Sequence, residues 1–437
     1  MTNGIRQKLL GSVTISPAVF EEVTKDVKNI GDFKKKIEAF LSQNITDLFD
    51  VVLSGSMKLE ASDIHLEAQE EQTRLRIRMD GILHNIIFFE PKVYRGILSR
   101  IKLLSKLKLN IADRPQDGRF SIEAEKTPIE IRTSTIPAEY GESVVMRILN
   151  PKSLIGLEDL GLRKDLLEIF KKEIKRVNGM IIVTGPTGSG KTTTLYAFLK
   201  KIQNPEIKII TIEDPIEYHL EGVSQTQVAP EKGYDFSDGL RSIVRQDPDT
   251  ILVGEIRDLE TAKIALQAAL TGHLVLSTLH TNDAAGTIPR LVDLGTDPAS
   301  IAPALNMAIA QRLIRKVCSK CAGFKRVSPS ELEELKEKLK NLPKDIEIPL
   351  LTKDLKVPTA KGCESCNFTG YKGRIGVFET FLIDNEMEKY ILTNPPVSGL
   401  KDMAIKKGMV TMYQSGLIDV VLGKTTLEEV KRMVESE

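Results

Sequence analysis

The most specific chemistry in the chain sits in eight consecutive residues, Gly185, Pro186, Thr187, Gly188, Ser189, Gly190, Lys191 and Thr192, with Thr193 following. The apolar run MIIVT precedes them and TTTLYAFLKKI follows, so the segment predicts a strand, a tight loop and a helix. Glycines at this spacing let backbone amides turn inward around phosphate oxygens, and the helix amino terminus adds partial positive charge. Lys191 can then reach the β- and γ-phosphates, while the Thr192 hydroxyl can hold Mg²⁺. The loop reads as a cradle for ATP and its metal.

Cleaving the γ-phosphoryl group requires an oriented water and stabilisation of the charge that develops. Two further apolar strands end in carboxylates. IKIITI leads into Glu213 and Asp214, with Glu217 beyond Pro215, and TILV leads into Gly254 and Glu255. Glu255 is expected on the metal side with Thr192, and Glu213 is expected to align the attacking water. His273 and His280 bracket the run LVLSTL. His280, at the carboxyl end of that strand, is expected near the nucleotide, where a neutral imidazole can sense the γ-phosphate. His273, next to Gly272, is the weaker candidate.

All four cysteines fall into CxxC pairs, Cys318 with Cys321 and Cys363 with Cys366. Four thiolates so spaced suit tetrahedral Zn²⁺, which would clip a long insertion into a rigid knuckle. A redox dithiol is the competing reading, but the thioredoxin context is missing and two pairs are hard to explain that way. Inside the insertion, Ser328, Pro329 and Glu331 predict an N-cap, a first-turn proline and a capping-box partner for the helix ELEELKEKLK.

These residues need a scaffold that gathers strand ends. MIIVTG, IKIITIED, TILVGE and LVLSTLH alternate with helical stretches, which predicts an α/β fold with a parallel sheet covered on both faces and its ligand at the carboxyl edge. Residues 1–45 read as a helical arm, 46–150 as a smaller α+β domain and 151–162 as a hinge. Residues 163–437 then form the nucleotide domain, with a zinc-binding insertion at 316–372 and a helical subdomain at 373–437. At 437 residues, about three domains fit.

Sixty-one basic residues against sixty acidic, no Trp and 5% aromatics argue against a nucleic-acid-coating surface. The longest uncharged stretch, Ile264 to Asn282, is too polar to span a bilayer, and the first twenty residues lack a signal-peptide core. A cytoplasmic location is the expectation.

Together the motifs resemble those of the hexameric secretion ATPases that power type II secretion and type IV pilus assembly. The family's four boxes are similar to GPTGSGKTT, ITIEDPIEY, QDPDTILVGEIRD and TGHLVLSTLHTND, in the same order. QRLIRKVCSKC and GCESCNFTGYKGRIGVFE resemble its zinc portion. ASDIHLE, RMDGIL, RPQDGRF and TSTIPAEYGESVVMRIL resemble its second amino-terminal, PAS-like domain. The resemblance implies a RecA-like ATPase domain, a homo-hexamer, and an inner-membrane platform protein as partner. Membrane association would be peripheral, and no nucleic-acid partner is expected. It also implies arginines of the preceding domain closing over the phosphates, here Arg119, Arg132 and Arg147. Glu213 and Glu255 take the catalytic and Walker B carboxylate positions, and the cysteine knuckle favours the assembly branch. Two other readings compete: a RecA-like DNA translocase or helicase, and a nucleotide-dependent assembly scaffold.

Overall fold

A computed structural model describes residues 12–124, 127–151 and 154–434. The chain divides into two compact units, Met1–Ser153 with Lys361–Lys372, and Leu154–Ala360 with Gly373–Glu437.

The first unit runs β1 (Ser12–Thr14), α1 (Pro17–Asp26), α2 (Ile30–Phe40), α3 (Ile45–Lys58), β2 (Asp63–Ala68), β3 (Thr73–Met79), β4 (Ile82–Phe89), α4 (Pro91–Leu104), β5 (Gln116–Ala124), β6 (Thr127–Ala138) and β7 (Gly141–Leu149). Its sheet is ordered β1-β5-β6-β7-β2-β3-β4. Period-two sequence makes it two-faced: in β3, Leu75 and Ile77 are buried while Arg74, Arg76 and Arg78 lie on the wetter side. Helices α1 and α2, expected as an arm, are built into the same core as this sheet, through Val19, Val23, Phe33, Ile37 and Phe40. Helix α4 ends at Leu104, just before Lys106 turns left-handed at φ 59°.

The second unit contains α5 (Lys164–Glu173), β8 (Gly179–Thr184), α6 (Lys191–Ile202), β9 (Ile209–Glu213), β10 (Ser224–Gln227), α7 (Phe236–Val244), β11 (Thr250–Val253), α8 (Leu259–Leu270) and β12 (Leu274–Leu279). There follow α9 (Thr287–Asp293), α10 (Pro298–Ala304), β13 (Leu305–Val317), β14 (Gly323–Arg326), α11 (Pro329–Lys338), β15 (Lys356–Thr359), β16 (Tyr371–Leu382), α12 (Asn385–Ile391), α13 (Val397–Lys406), α14 (Met412–Val421) and α15 (Leu427–Val434). The main sheet is ordered β10-β9-β11-β12-β8-β13-β16. The pairings from β10 through β13 are all parallel.

Every residue of β8 is buried, and alternate ones feed different cores, Met180 and Ile182 on one face, Ile181 and Val183 on the other. That is why these strands read as continuous apolar runs. On the second face, Phe170 of α5 meets Phe198 of α6 and Phe378 of β16 edge to face at 5.4 and 6.0 Å. Such pairs contribute about 1 kcal/mol each beyond area burial. Within the insertion, the capping box forms as the spacing predicts: Glu331 N–H donates to Ser328 Oγ and Ser328 N–H to the Glu331 carboxylate.

The carboxyl-terminal helices are locked to β13 by Glu429, which is 1% exposed. Arg315 grips it with two side-chain bonds and its backbone N–H, and Arg432 adds two more. Burial alone would raise the Glu429 carboxyl, but these donors outweigh it and hold the group below the ordinary range. Its stabilisation is therefore complete above the unfolded-state value of about 4.3 and is lost as pH falls through the lower folded-state value. We expect Glu429→Gln to cost about 3 kcal/mol at pH 7 by denaturant unfolding, with the gap from wild type closing in acid. An unchanged gap across that range would assign the cost to packing instead.

Candidate active site

Strand β8 ends at Thr184, and the next six residues reverse the backbone into α6. Gly185 has φ 146°, and a Cβ there would come within 2.6 Å of the Gln311 carbonyl oxygen of β13. Gly190, at φ 90°, caps α6. Both conformations exclude ordinary side chains, which is the physical content of the motif. Pro186, Thr187 and Gly188 are exposed, Ser189 is buried, and Thr192 and Thr193 lie half-buried in the first turn of α6. Lys191 folds over the loop, donating to the carbonyls of Gly185 at 2.7 Å and Pro186 at 3.2 Å. Burial lowers the proton affinity of Lys191, nearby Glu255 opposes that, and Arg312 reinforces it.

Parallel pairing puts the ends of β9, β11 and β12 on the same edge as this loop. Glu255, just past β11, pairs with Arg257 at 2.5 Å, and His280 Nε2, just past β12, lies 3.6 Å from its other oxygen. Burial, with Lys191 nearby, lowers the His280 pKa below its ordinary value, which favours the neutral ring. Lys191, Glu255 and His280 thus lie together at one sheet edge. Arg257 was not singled out there, although it stands two residues after Glu255. His273 lies at the amino end of β12, on the opposite edge, with Nδ1 3.0 Å from the Ala268 carbonyl at the end of α8. It is a packed end residue remote from the loop.

Glu213 closes β9 and is 3% exposed. Its carboxylate accepts from Thr211 Oγ1 at 2.6 Å, from Gln225 Nε2 at 3.2 Å and from the Tyr196 hydroxyl. Burial raises its pKa, the three donors lower it, and Glu217 raises it again. Tyr196 belongs to α6, so Glu213 ties the phosphate-loop helix to β9. Sequence reading missed Tyr196 because its spacing in TTTLYAFL marks only a buried helix face. Glu217 lies half-buried beyond Pro215.

In the first unit, β5, β6 and β7 align Arg119, Arg132 and Arg147 as direct cross-strand partners, and Asp63 and Arg78 continue the row. Such partners share one face. Arg147 Nε donates to Asp63 at 3.1 Å, and Arg119 and Arg132 lie 3.8 and 3.7 Å from Glu130. Arg119 and Arg147 remain largely exposed.

Cys318, Cys321, Cys363 and Cys366 offer four sulfur donors, enough for one tetrahedral ion. Tetrahedral Zn–S bonds of about 2.3 Å demand sulfur separations of about 3.8 Å. Cys363 and Cys366 already show 3.8 Å. Backbone N–H groups of Cys363 and Gly370 point at the Cys366 sulfur at 3.2 and 3.3 Å, an arrangement that favours thiolate. The donor set fits zinc.

The pattern of the type II/IV secretion system protein family matches residues 39–432. Type II secretion system protein E of Xanthomonas campestris pv. campestris is 41% identical over 420 residues, 95% of this chain and 72% of that protein. Type IV pilus assembly ATPase TfpB of Acinetobacter baylyi is 41% identical over 394 residues, 90% of this chain and 66% of that one. Among solved structures, the pilus retraction motor PilT with bound ADP aligns at TM-score 0.59 and 27% identity, covering 87% of this chain and 95% of its own. The Legionella pneumophila ATPase DotB aligns at TM-score 0.63 and 21% identity over 88% and 94%, a likeness of fold. With its phosphate loop, its gathered strand ends and this extent of matching, the chain belongs to the type II/IV secretion system protein family and is an ATPase of the secretion or pilus-assembly kind.

Proposed function

We propose that this protein hydrolyses ATP as a homo-hexameric motor and passes the resulting domain movement to an inner-membrane platform protein, with only peripheral membrane association of its own. The observation that carries the reading is the convergence of Lys191, Glu255 and His280 at one sheet edge, beside a loop whose glycines admit phosphate. No described helix is long and apolar enough to cross a membrane.

In this reading the amides of Gly185 to Thr193 and the Lys191 ammonium hold the triphosphate, and Thr192 with Glu255 holds Mg²⁺, which neutralises phosphate charge when bound. Glu213 aligns the attacking water, and neutral His280 hydrogen-bonds the terminal phosphate. The guanidiniums of Arg119, Arg132 and Arg147 supply charge to the transferring phosphoryl group. The cysteine knuckle takes zinc.

The motor reading is tested by ATP turnover of the full chain with the purified cytoplasmic domain of a platform protein, or with DNA. Stimulation by the platform domain, absent in Lys191→Ala, is expected; strong stimulation by DNA alone would favour the translocase alternative, and negligible turnover under every condition the scaffold. For the carboxylates, Glu213→Gln should retain nucleotide binding while lowering kcat about 100-fold or more. Because Glu213 is so thoroughly bonded, Glu217→Gln belongs in the same assay: full activity of Glu213→Gln with loss in Glu217→Gln would transfer the water-aligning role. Metal analysis of protein from zinc-replete cells should give about one zinc per chain, released when thiols are modified. Less than about half an equivalent would count against the knuckle.

A further inference from the structure

Glu379 lies in the middle of β16, fully buried, and none of the roles above uses it. Its two oxygens accept backbone N–H bonds from segments far apart in sequence: Ala284 donates to Oε1 at 2.9 Å and Met412 to Oε2 at 3.0 Å. Ala284 lies in the loop that begins with His280, and Met412 opens α14 of the helical subdomain. Burying a carboxylate is expensive, and burial raises this one's pKa. The charge of Lys401 on α13 offsets part of that, while Asp283 in the loop adds to it. Packing alone would favour an apolar side chain here. A carboxylate supplies what no apolar or amide side chain can, two acceptors aimed at two separate backbones.

The same loop is pinned on its other side to the nucleotide machinery. Thr281 N–H donates to the hydroxyl of Thr184, the residue immediately before Gly185, at 2.7 Å. Arg312 of β13 donates to the Asn282 carbonyl at 3.1 Å. Asp283 accepts from Gly286 N–H at 2.7 Å and lies 3.7 Å from the Lys401 ammonium. A seven-residue segment, His280 to Gly286, is therefore held between the end of the phosphate-loop strand and the helices α13 and α14.

We propose that Glu379 is a positioning residue for ATP hydrolysis, a two-headed acceptor that makes the His280 loop and the start of α14 move as one piece. It acts through the loop and touches no reacting atom. The proposal rests on the reading of His280 as the residue facing the terminal phosphate. Under it, a shift of His280 when that phosphate leaves is delivered to the carboxyl-terminal helices through the Ala284–Glu379–Met412 bridge and the Lys401–Asp283 pair.

The experiment uses the full chain and compares wild type with Glu379→Gln, which keeps one acceptor and turns an NH₂ donor against the second amide. Turnover, nucleotide affinity and amide hydrogen exchange are measured with Mg²⁺ and either ADP or a non-hydrolysable ATP analogue. Wild type should show exchange at residues 280–286 and 411–416 that differs between the two nucleotides. Glu379→Gln should lose the response at 411–416, keep nucleotide affinity within about threefold and lower kcat about tenfold. Lys401→Met, on a partly exposed side chain, serves if the first variant does not fold, and should weaken the same response with a kcat loss of about threefold. A variant with a lowered melting temperature but wild-type kcat and an intact response at 411–416 overturns the proposal, because it reduces Glu379 to a fold contact. A wild-type protein whose 280–286 segment ignores the nucleotide state overturns the His280 reading and the coupling with it. A response at 280–286 without one at 411–416 overturns the coupling alone.

Discussion

Parallel pairing of β8 with β12 and β13 sets Thr184 level with Leu279 and Ala310, and the nucleotide end of the protein depends on that register. Thr184 is the last residue of β8 and Leu279 the last of β12, so Gly185 and His280 leave the sheet side by side. The Thr184 hydroxyl meets both the hydroxyl and the N–H of Thr281. An antiparallel partner at either position would send its following loop to the opposite edge. His273 shows the contrast: it belongs to the same strand as His280 yet lies at the far edge, where it can only finish a helix.

Three buried glutamates show how differently one side chain is kept ionisable inside this fold. Glu429 is surrounded by two arginines and held as an anion, a structural clamp. Glu213 is held by neutral donors from Tyr196, Thr211 and Gln225, so burial prevails and its proton affinity is raised. Glu379 has two backbone amides and one more distant lysine, and its proton affinity is raised as well. Neutral hydrogen bonds satisfy a carboxylate geometrically without cancelling its charge, which leaves such groups responsive to a change in their surroundings. Two of the three sit at the nucleotide end of the sheet or in contact with its loops.

Much of this was legible in the residues themselves. The phosphate loop was legible because its function lies in backbone conformation, and glycine is the residue that adopts positive φ without cost, as at Gly185 and Gly190. The strands β8, β9, β11 and β12 announced themselves as largely apolar runs because a parallel sheet buried on both faces leaves few positions for a polar side chain. The cysteine pairs were legible by composition alone. Arginines 119, 132 and 147 drew attention singly, but their alignment in one row with Arg78 was not readable, since register between β5, β6, β7, β2 and β3 is set by pairing of distant segments.

What the sequence determined, then, was every feature carried by local covalent chemistry: the loop that can bend, the helices with their caps, the runs that must be buried, the thiols able to bind a soft metal. The tertiary structure decided the rest, because hydrogen bonds between remote segments leave no periodic trace. Tyr196 on Glu213, Arg312 on Asn282, and Glu379 between Ala284 and Met412 each join residues from 17 to 95 positions apart. A carboxylate inside an apolar strand such as RIGVFETFL looks like an interruption until the fold places two unrelated amides against it.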